Sequence, residues 1–128
     1  MGRLSRLLLL LAVLTLAVPA AVRAQSDTVV RGGSAIYPSL EVNIDDNGRL
    51  ARLHMAFEVQ CTDEQGAQMA ASPQAREAII LYFRDKHAAD LVTPKDKRRL
   101  KNELVAAINK AIGGPRAVNI LFMQFVIL

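Results

Sequence analysis

A tight turn between two alternating segments is the feature that most limits the folds open to this chain. Residues 45–48 read Asp-Asp-Asn-Gly, and the Asn-Gly pair is the strongest short-range signal for a β-hairpin. On both sides of the turn apolar and polar residues alternate, which predicts strands with one buried and one solvated face. The residues predicted to face inward are Leu40, Val42, Ile44, Leu53, Met55, Phe57, Val59 and Cys61. The chain therefore has to cover one side of an antiparallel pair.

Helical periodicity follows the hairpin. Residues 75–86 carry one apolar stripe and come directly after Pro73, which predicts a helix. A short additional helix over residues 62–72 is an open alternative, which Gly66 disfavours.

A second helix is marked at both of its ends. Thr93 is a good N-cap, Pro94 suits the first helical position, and Asp96 stands where a capping box places an acid. The Gly-Gly-Pro run at residues 113–115 predicts the end of the helix. Its predicted apolar stripe is Leu100, Leu104, Ile108, Ala111 and Ile112. With a final strand over residues 117–128, the sequence predicts one α+β domain of order β-β-α-α-β.

The final strand is apolar on both faces. Simple alternation predicts one face made of Ile120, Phe122, Val126 and Leu128, and the other made of Leu121, Met123, Phe125 and Ile127. A strand of this kind has to be covered on both sides, because it otherwise invites pairing at its edge. Two interpretations stand: a strand inside the core, or an interface to another subunit formed by Leu121, Met123, Phe125 and Ile127.

Five bases fall within residues 95–101, at the start of the second helix; we call them the basic segment. Their positive charges oppose the helix macrodipole at a cost of a few tenths of a kcal/mol each. The segment is either a solvated helix face or a docking surface for an acidic partner or anionic lipid head groups. The candidate interface residues are Lys95, Arg98 and Arg99.

The N-terminus has the three parts of a secretory signal over residues 1–24. Arg3 and Arg6 precede an apolar run that contains Leu7, Leu8, Leu9, Leu10, Leu11, Val13, Leu14, Leu16 and Val18. Small residues then favour cleavage between Ala24 and Gln25. The alternative is a short retained membrane anchor, and both alternatives export the rest of the chain. Residues 25–36 contain a Gly-Gly pair and are predicted to be a flexible linker.

Composition excludes several classes of function. Of the 16 Lys and Arg residues, Arg3, Arg6 and Arg23 belong to the N-terminal segment, and the remainder nearly balances the 12 acids. The remainder therefore lacks the basic excess of a nucleic-acid-binding protein. One cysteine permits no intrachain disulfide. No residues are predicted to be catalytic, to ligate a metal, or to bind a cofactor or small-molecule substrate, so the chain is not predicted to be an enzyme.

From Tyr37 to the end, the chain resembles the FliL family of flagellar basal-body proteins. The resemblance rests on the order of several stretches, which are residues 40–44, 48–49, 76–80, 90–93, 100–104, 108–109, 118–122 and 125–127. It implies a stomatin/prohibitin-like periplasmic domain over residues 37–128 and one span in the inner membrane. It also implies a ring-forming, non-enzymatic partner of the flagellar stator units that supports rotation, swimming, swarming and chemotactic motility. The alternative is a secreted periplasmic scaffold or binding module of another envelope complex.

Overall fold

The computed structural model describes residues 28–128. The predicted signal or anchor segment and the first residues of the predicted linker lie outside the described residues. The described part is an α+β domain with one four-stranded antiparallel sheet of order β1-β2-β3-β4. Its strands are β1 (Val29–Arg31), β2 (Ser34–Asp46), β3 (Arg49–Cys61) and β4 (Ala117–Ile127). Its α-helices are α1 (Glu64–Ala70), α2 (Pro73–Arg84) and α3 (Pro94–Ile112), and a 3-10 helix spans Ala88–Leu91.

The predicted hairpin is confirmed as β2 and β3. Asn47 and Gly48 both have positive φ, 54° and 82°, as a two-residue hairpin turn between Asp46 and Arg49 requires. Pro38 interrupts β2 without breaking it, because it falls where the register shifts between Tyr37 and Leu40.

The prediction of a flexible linker over residues 25–36 is wrong for residues 29–36. Val29–Arg31 forms β1, and Gly32 and Gly33 make a second two-residue turn into β2. Gly32 has φ 59°, which glycine adopts without strain. The Gly-Gly pair therefore forms a hairpin turn here.

The core lies between one face of the sheet and the helices. The predicted inward residues of β2 and β3 are buried, except Cys61. Cys61 is only half-buried, because it is the last residue of β3 and lies beside a register shift in its pairing with β4. Tyr37 stacks on Phe57 with ring centres 4.8 Å apart, and its hydroxyl donates a 2.6 Å hydrogen bond to the carbonyl of Ala70.

The ambiguous segment after β3 forms helix α1. Asp63 caps it by accepting a 2.7 Å hydrogen bond from the backbone N–H of Gly66. A Cβ atom at position 66 would come within 3.2 Å of Arg116 Cβ and 3.3 Å of Cys61 Cβ. The glycine that disfavours this helix locally is therefore the residue that lets it approach the sheet.

Both predicted helices are present. In α2 the inward stripe is Ala75, Ile79 and Phe83. In α3 the capping box at Thr93 and Asp96 is present, and Gly113 ends the helix with φ 78°. Leu100, Leu104 and Ile108 are buried as predicted, whereas Ala111 is exposed and Ile112 is half-buried.

A side-chain amide joins α3 to β4. The Oδ1 atom of Asn109 accepts a hydrogen bond from the N–H of Ala117 at 2.8 Å, and its Nδ2 donates to the carbonyl of Ala117 at 2.9 Å. This reciprocal pair fixes where the last strand begins relative to the helix.

Candidate interaction surface

The capping box divides the basic segment between two sides of α3. Thr93 Oγ1 accepts from the backbone N–H of Asp96 at 3.0 Å, and the Asp96 carboxylate accepts from the N–H of Thr93 at 3.3 Å. Hydrogen bonding by Thr93 is the largest of the effects that lower the pKa of Asp96. The same carboxylate pairs with Arg99 at 3.2 Å. Arg99 therefore lies on the side of α3 near Tyr82 and Glu103, away from β4.

A groove of about 470 Å³ runs along the opposite side of α3, between this helix and β4. We call it the basic groove; it is lined by Pro94, Lys97, Arg98, Lys101, Phe122, Met123, Gln124 and Phe125. The Lys97 ammonium lies 5.4 Å from the centre of the Phe125 ring, within the range of a cation–π interaction. Among residues 28–128, no carboxylate lies within ion-pair distance of Lys97, Arg98 or Lys101. The groove therefore combines unpaired cations with an apolar strand wall.

A β-bulge in β4 shapes the apolar wall of the groove. Gln124 pairs with Ala56, whereas Phe122 pairs with Phe57, so Met123 is an extra residue on β4. An extra residue reverses the alternation of the side chains that follow it. Aromatic side chains on both sides of Met123 consequently pack toward the helices.

The predicted faces of the last strand are therefore partly wrong. Phe125 and Ile127, predicted to share an outer face with Leu121 and Met123, are half-buried and pack against the core. Leu121 and Met123 remain 43% and 55% exposed. Val126 and Leu128, predicted to share a face with Ile120 and Phe122, are exposed too. The bulge at Met123 is the physical reason for each of these differences.

Within residues 28–128, β4 is also an edge of the sheet, because there it pairs with β3 and with no other strand. Arg52 and Leu128 exchange both of their backbone hydrogen bonds, at 2.9 and 2.8 Å. In an antiparallel ladder this pattern alternates, so the N–H and C=O groups of Ile127 and Phe125 point away from β3. The final residues of β4 therefore present backbone donors and acceptors along an open edge.

An acidic cleft of about 580 Å³ adjoins the end of the same strand. It is lined by Asp45, Asp46, Asn47, His87, Ala88, Ala89, Asp90, Val92 and Ile127. Both carboxylate oxygens of Asp45 have partners within the chain. One accepts from the N–H of Gly48 at 3.0 Å, and the other lies 2.9 Å from His87 Nδ1. Asp46 and Asp90 have no cation within ion-pair distance among the described residues.

A comparison with protein families identifies the chain. The sequence model described as flagellar basal body-associated protein FliL matches residues 35–127, which is 93 of the 128 residues. The chain belongs to the FliL family. The FliL match extends from the start of β2 to the end of β4, so it covers both the basic groove and the acidic cleft. No curated protein matches the chain.

Membership of the FliL family confirms the resemblance found in the sequence. It makes this protein a flagellar basal-body-associated protein, from a family of structural and accessory proteins rather than enzymes.

The structure brings together only some of the predicted interface residues of this FliL-family protein. Arg98, Met123 and Phe125 line the basic groove. Lys95 is exposed but does not line the groove, and Arg99 lies on the other side of the helix. Leu121 lies on the open face of the sheet, where it pairs with a solvated position of β3, and Ile127 lines the acidic cleft.

Sequence reasoning missed Lys97 and Lys101 as members of the groove. The helical spacing i, i+3, i+4, i+7 was the available signal, because it sets Pro94, Lys97, Arg98 and Lys101 on one side of α3. Without the helical period, the basic residues of the groove cannot be separated from Arg99, whose side chain lies on the other side of the helix.

The described residues also bear on metal binding and catalysis. Residues 28–128 contain no group of three His, Cys, Asp or Glu side chains that could hold a metal ion. His54 Nδ1 lies 3.1 Å from a carboxylate oxygen of Glu41, and His87 faces Asp45. Each histidine thus contacts a single carboxylate among the described residues.

None of the helices found within residues 28–128 has both the length and the apolar character needed to cross a membrane.

Proposed function

We propose that this FliL-family protein supports flagellar rotation by binding the stator units of the motor and by assembling with further copies into a ring around them. It does so on the periplasmic side of the inner membrane, at the flagellar basal body. Family membership supports the basal-body association. The observation that supports binding is that the basic groove and the adjoining edge of β4 leave cations, apolar side chains and backbone groups unpaired within residues 28–128.

The mechanism we propose is mechanical. A ring assembled from these domains braces the periplasmic segment of a stator unit and favours the stator's engaged, ion-conducting state. Binding favours the engaged state only by the difference between the binding free energies for the engaged and the disengaged state. The protein then needs no cofactor and no catalytic group.

A clean deletion in the host tests this proposal. We expect deletion to reduce swimming in viscous medium and to reduce the number of labelled stator units per motor, and we expect the wild-type gene to restore both. The groove variant Arg98→Glu should restore less than Lys95→Glu, which makes the same charge change on an exposed residue outside the groove. Normal swimming and normal stator occupancy in the deletion strain would overturn the motor role. They would favour the alternative of a secreted periplasmic scaffold for another envelope complex.

How the protein is held at the motor depends on its N-terminal segment. The measurement is the mature N-terminus and intact mass of the untagged protein after cell fractionation. A chain that starts near Met1 and stays in the membrane fraction after carbonate extraction supports an anchored motor component. A chain that starts at Gln25 and is soluble in the periplasm requires that partner contacts alone hold it at the stator.

A further inference from the structure

The basic groove and the acidic cleft lie side by side along the last residues of β4. Phe125 lines the groove, and Ile127, two residues later, lines the cleft. The open edge of β4 connects the two surfaces, because the backbone groups of these same two residues point away from β3.

Each of the two surfaces carries charge that its own chain does not neutralise. Lys97, Arg98 and Lys101 in the groove lack carboxylate partners among residues 28–128, and Asp46 and Asp90 in the cleft lack cationic partners there. Lys97 also lies at the end of the first turn of α3, where the helix dipole disfavours positive charge. A carboxylate brought to the groove would therefore stabilise both the lysine and arginine side chains and the helix end.

Both surfaces also expose apolar side chains next to these charges. Met123 in the groove is 55% exposed, and Val92 in the cleft is 63% exposed. Apolar side chains surrounded by charged ones are typical of protein–protein interfaces, where burial supplies free energy and charge selects the partner.

We infer that two copies of this chain bind each other through the open edges of β4, with the basic groove of each copy against the acidic cleft of the other. The inference rests on the self-assembly included in the proposed function, and it names the contact. Antiparallel pairing centred on Val126 places Phe125 opposite Ile127 of the second copy, so the outward backbone groups of both residues hydrogen-bond. Two-fold symmetry then makes each groove–cleft contact twice.

The bulge at Met123 limits how far this pairing extends. An extra residue breaks the regular spacing of donors and acceptors, so the paired edge ends there. The contact is closed by its two-fold axis, and growth into a ring uses a second surface.

A charge exchange between two variants of the full-length chain tests the inference. The groove variant carries Lys97→Glu, Arg98→Glu and Lys101→Glu, changes that the dipole of α3 tolerates because acids are favourable at a helix N-terminus. The cleft variant carries Asp46→Lys and Asp90→Lys, which spares Asp45 and its bonds within the fold. The control is Lys95→Glu, together with the single groove variant Arg98→Glu, which makes the same charge change inside the groove.

Self-association is measured by size-exclusion chromatography with light scattering over a range of concentrations, and circular dichroism verifies that each variant is folded. We expect each variant alone to associate at least about tenfold more weakly than wild type, because like charges then face each other. We expect an equimolar mixture of the two variants to recover association, because its groove–cleft contacts are again between opposite charges. Added salt should weaken both the wild-type pair and the mixed pair.

The contact is overturned if wild type stays monomeric, if the folded variants associate as wild type does, or if Lys95→Glu weakens association as much as Arg98→Glu does. It is also overturned if the mixture of folded variants remains monomeric. A wild type that stays monomeric would also remove the ring from the proposed mechanism, whereas the other outcomes concern this contact alone. The deletion strain tests the motor role independently. Conversely, if the deletion strain swims normally, the association measurements still decide whether the groove–cleft contact forms.

Discussion

The amide of Asn109 offers a sharp test of how α3 and β4 are joined. Changing Asn109→Asp keeps the shape of the side chain and the oxygen that accepts from the N–H of Ala117. In the wild-type chain the Nδ2 donor lies 2.9 Å from the carbonyl oxygen of Ala117. The substitution removes this donor and places a carboxylate oxygen next to that carbonyl. Ala117 is only 3% exposed, so water cannot easily replace the lost donor.

The magnitude follows from the broken hydrogen bond and the carbonyl it leaves unsatisfied. A buried polar group left without its partner costs about 1–3 kcal/mol. A negative charge in the last turn of a helix adds about 0.3–1 kcal/mol. We expect the free energy of unfolding to fall by about 2–3 kcal/mol, since the oxygen that remains still accepts from the N–H. For a domain of this size that corresponds to a loss of roughly 10–20 °C in Tm.

The assay is urea unfolding of the purified chain followed by circular dichroism, with Asn102→Asp as the matched control. Asn102 lies on the same helix and is exposed, so the same substitution there should have a small effect. The cost at position 109 should also shrink as the pH falls toward about 4, because a carboxyl group disfavoured as an anion in the folded state takes up its proton above the ordinary pKa and then donates again to the Ala117 carbonyl. Equal losses in the two variants, or a difference between them that does not change with pH, would refute this account of the joint.

Three further predictions concern other parts of the fold. Tyr37→Phe should destabilise the protein by about 1–2 kcal/mol, because the carbonyl of Ala70 loses its buried donor. Burial raises the pKa of Tyr37 from 10.0 to about 12, so the folded state holds this proton more tightly. The resulting stability is complete below pH 10 and is lost as the pH rises toward 12, and urea midpoints measured across that range should fall less in Tyr37→Phe than in wild type. Thr93→Ala should lower the free energy of unfolding by about 1 kcal/mol by removing the cap of α3, which chemical denaturation would detect. Burial, and next the charge of Asp63, raises the pKa of the Cys61 thiol, so a disulfide reagent at pH 7.5 should react with it more slowly than with glutathione until the protein is unfolded.

Local chemistry in the sequence was sufficient for the elements whose ends it determines. Asn47 and Gly48 adopt positive φ, which asparagine and glycine do more readily than other residues. The hairpin could therefore be predicted without knowledge of its surroundings. Thr93, Asp96 and Gly113 likewise satisfy the ends of α3 with their own atoms.

Features that depend on distant residues could not be predicted in the same way. Gly66 disfavours a helix by propensity, and what favours a glycine there is the close packing of Arg116 and Cys61 against it. The bulge at Met123 exists only in relation to β3, so alternation along β4 alone assigned Phe125 to the wrong face. The same limit applied to the candidate surface, since the groove is formed by a helix and a strand that are distant in sequence.

The order of strands in the sheet has a consequence for how the chain folds. β2 and β3 are joined by a two-residue turn, so their pairing needs little loop closure and can form within microseconds. β4 reaches β3 only across the helices, and Asn119 and Gln60, whose side chains bond at 2.9 Å, are 59 residues apart. Contacts of such separation form late and slow the folding of a domain. Until β4 arrives, β3 is itself an unpaired edge with a row of apolar side chains, and the protein is most prone to aggregate during that interval.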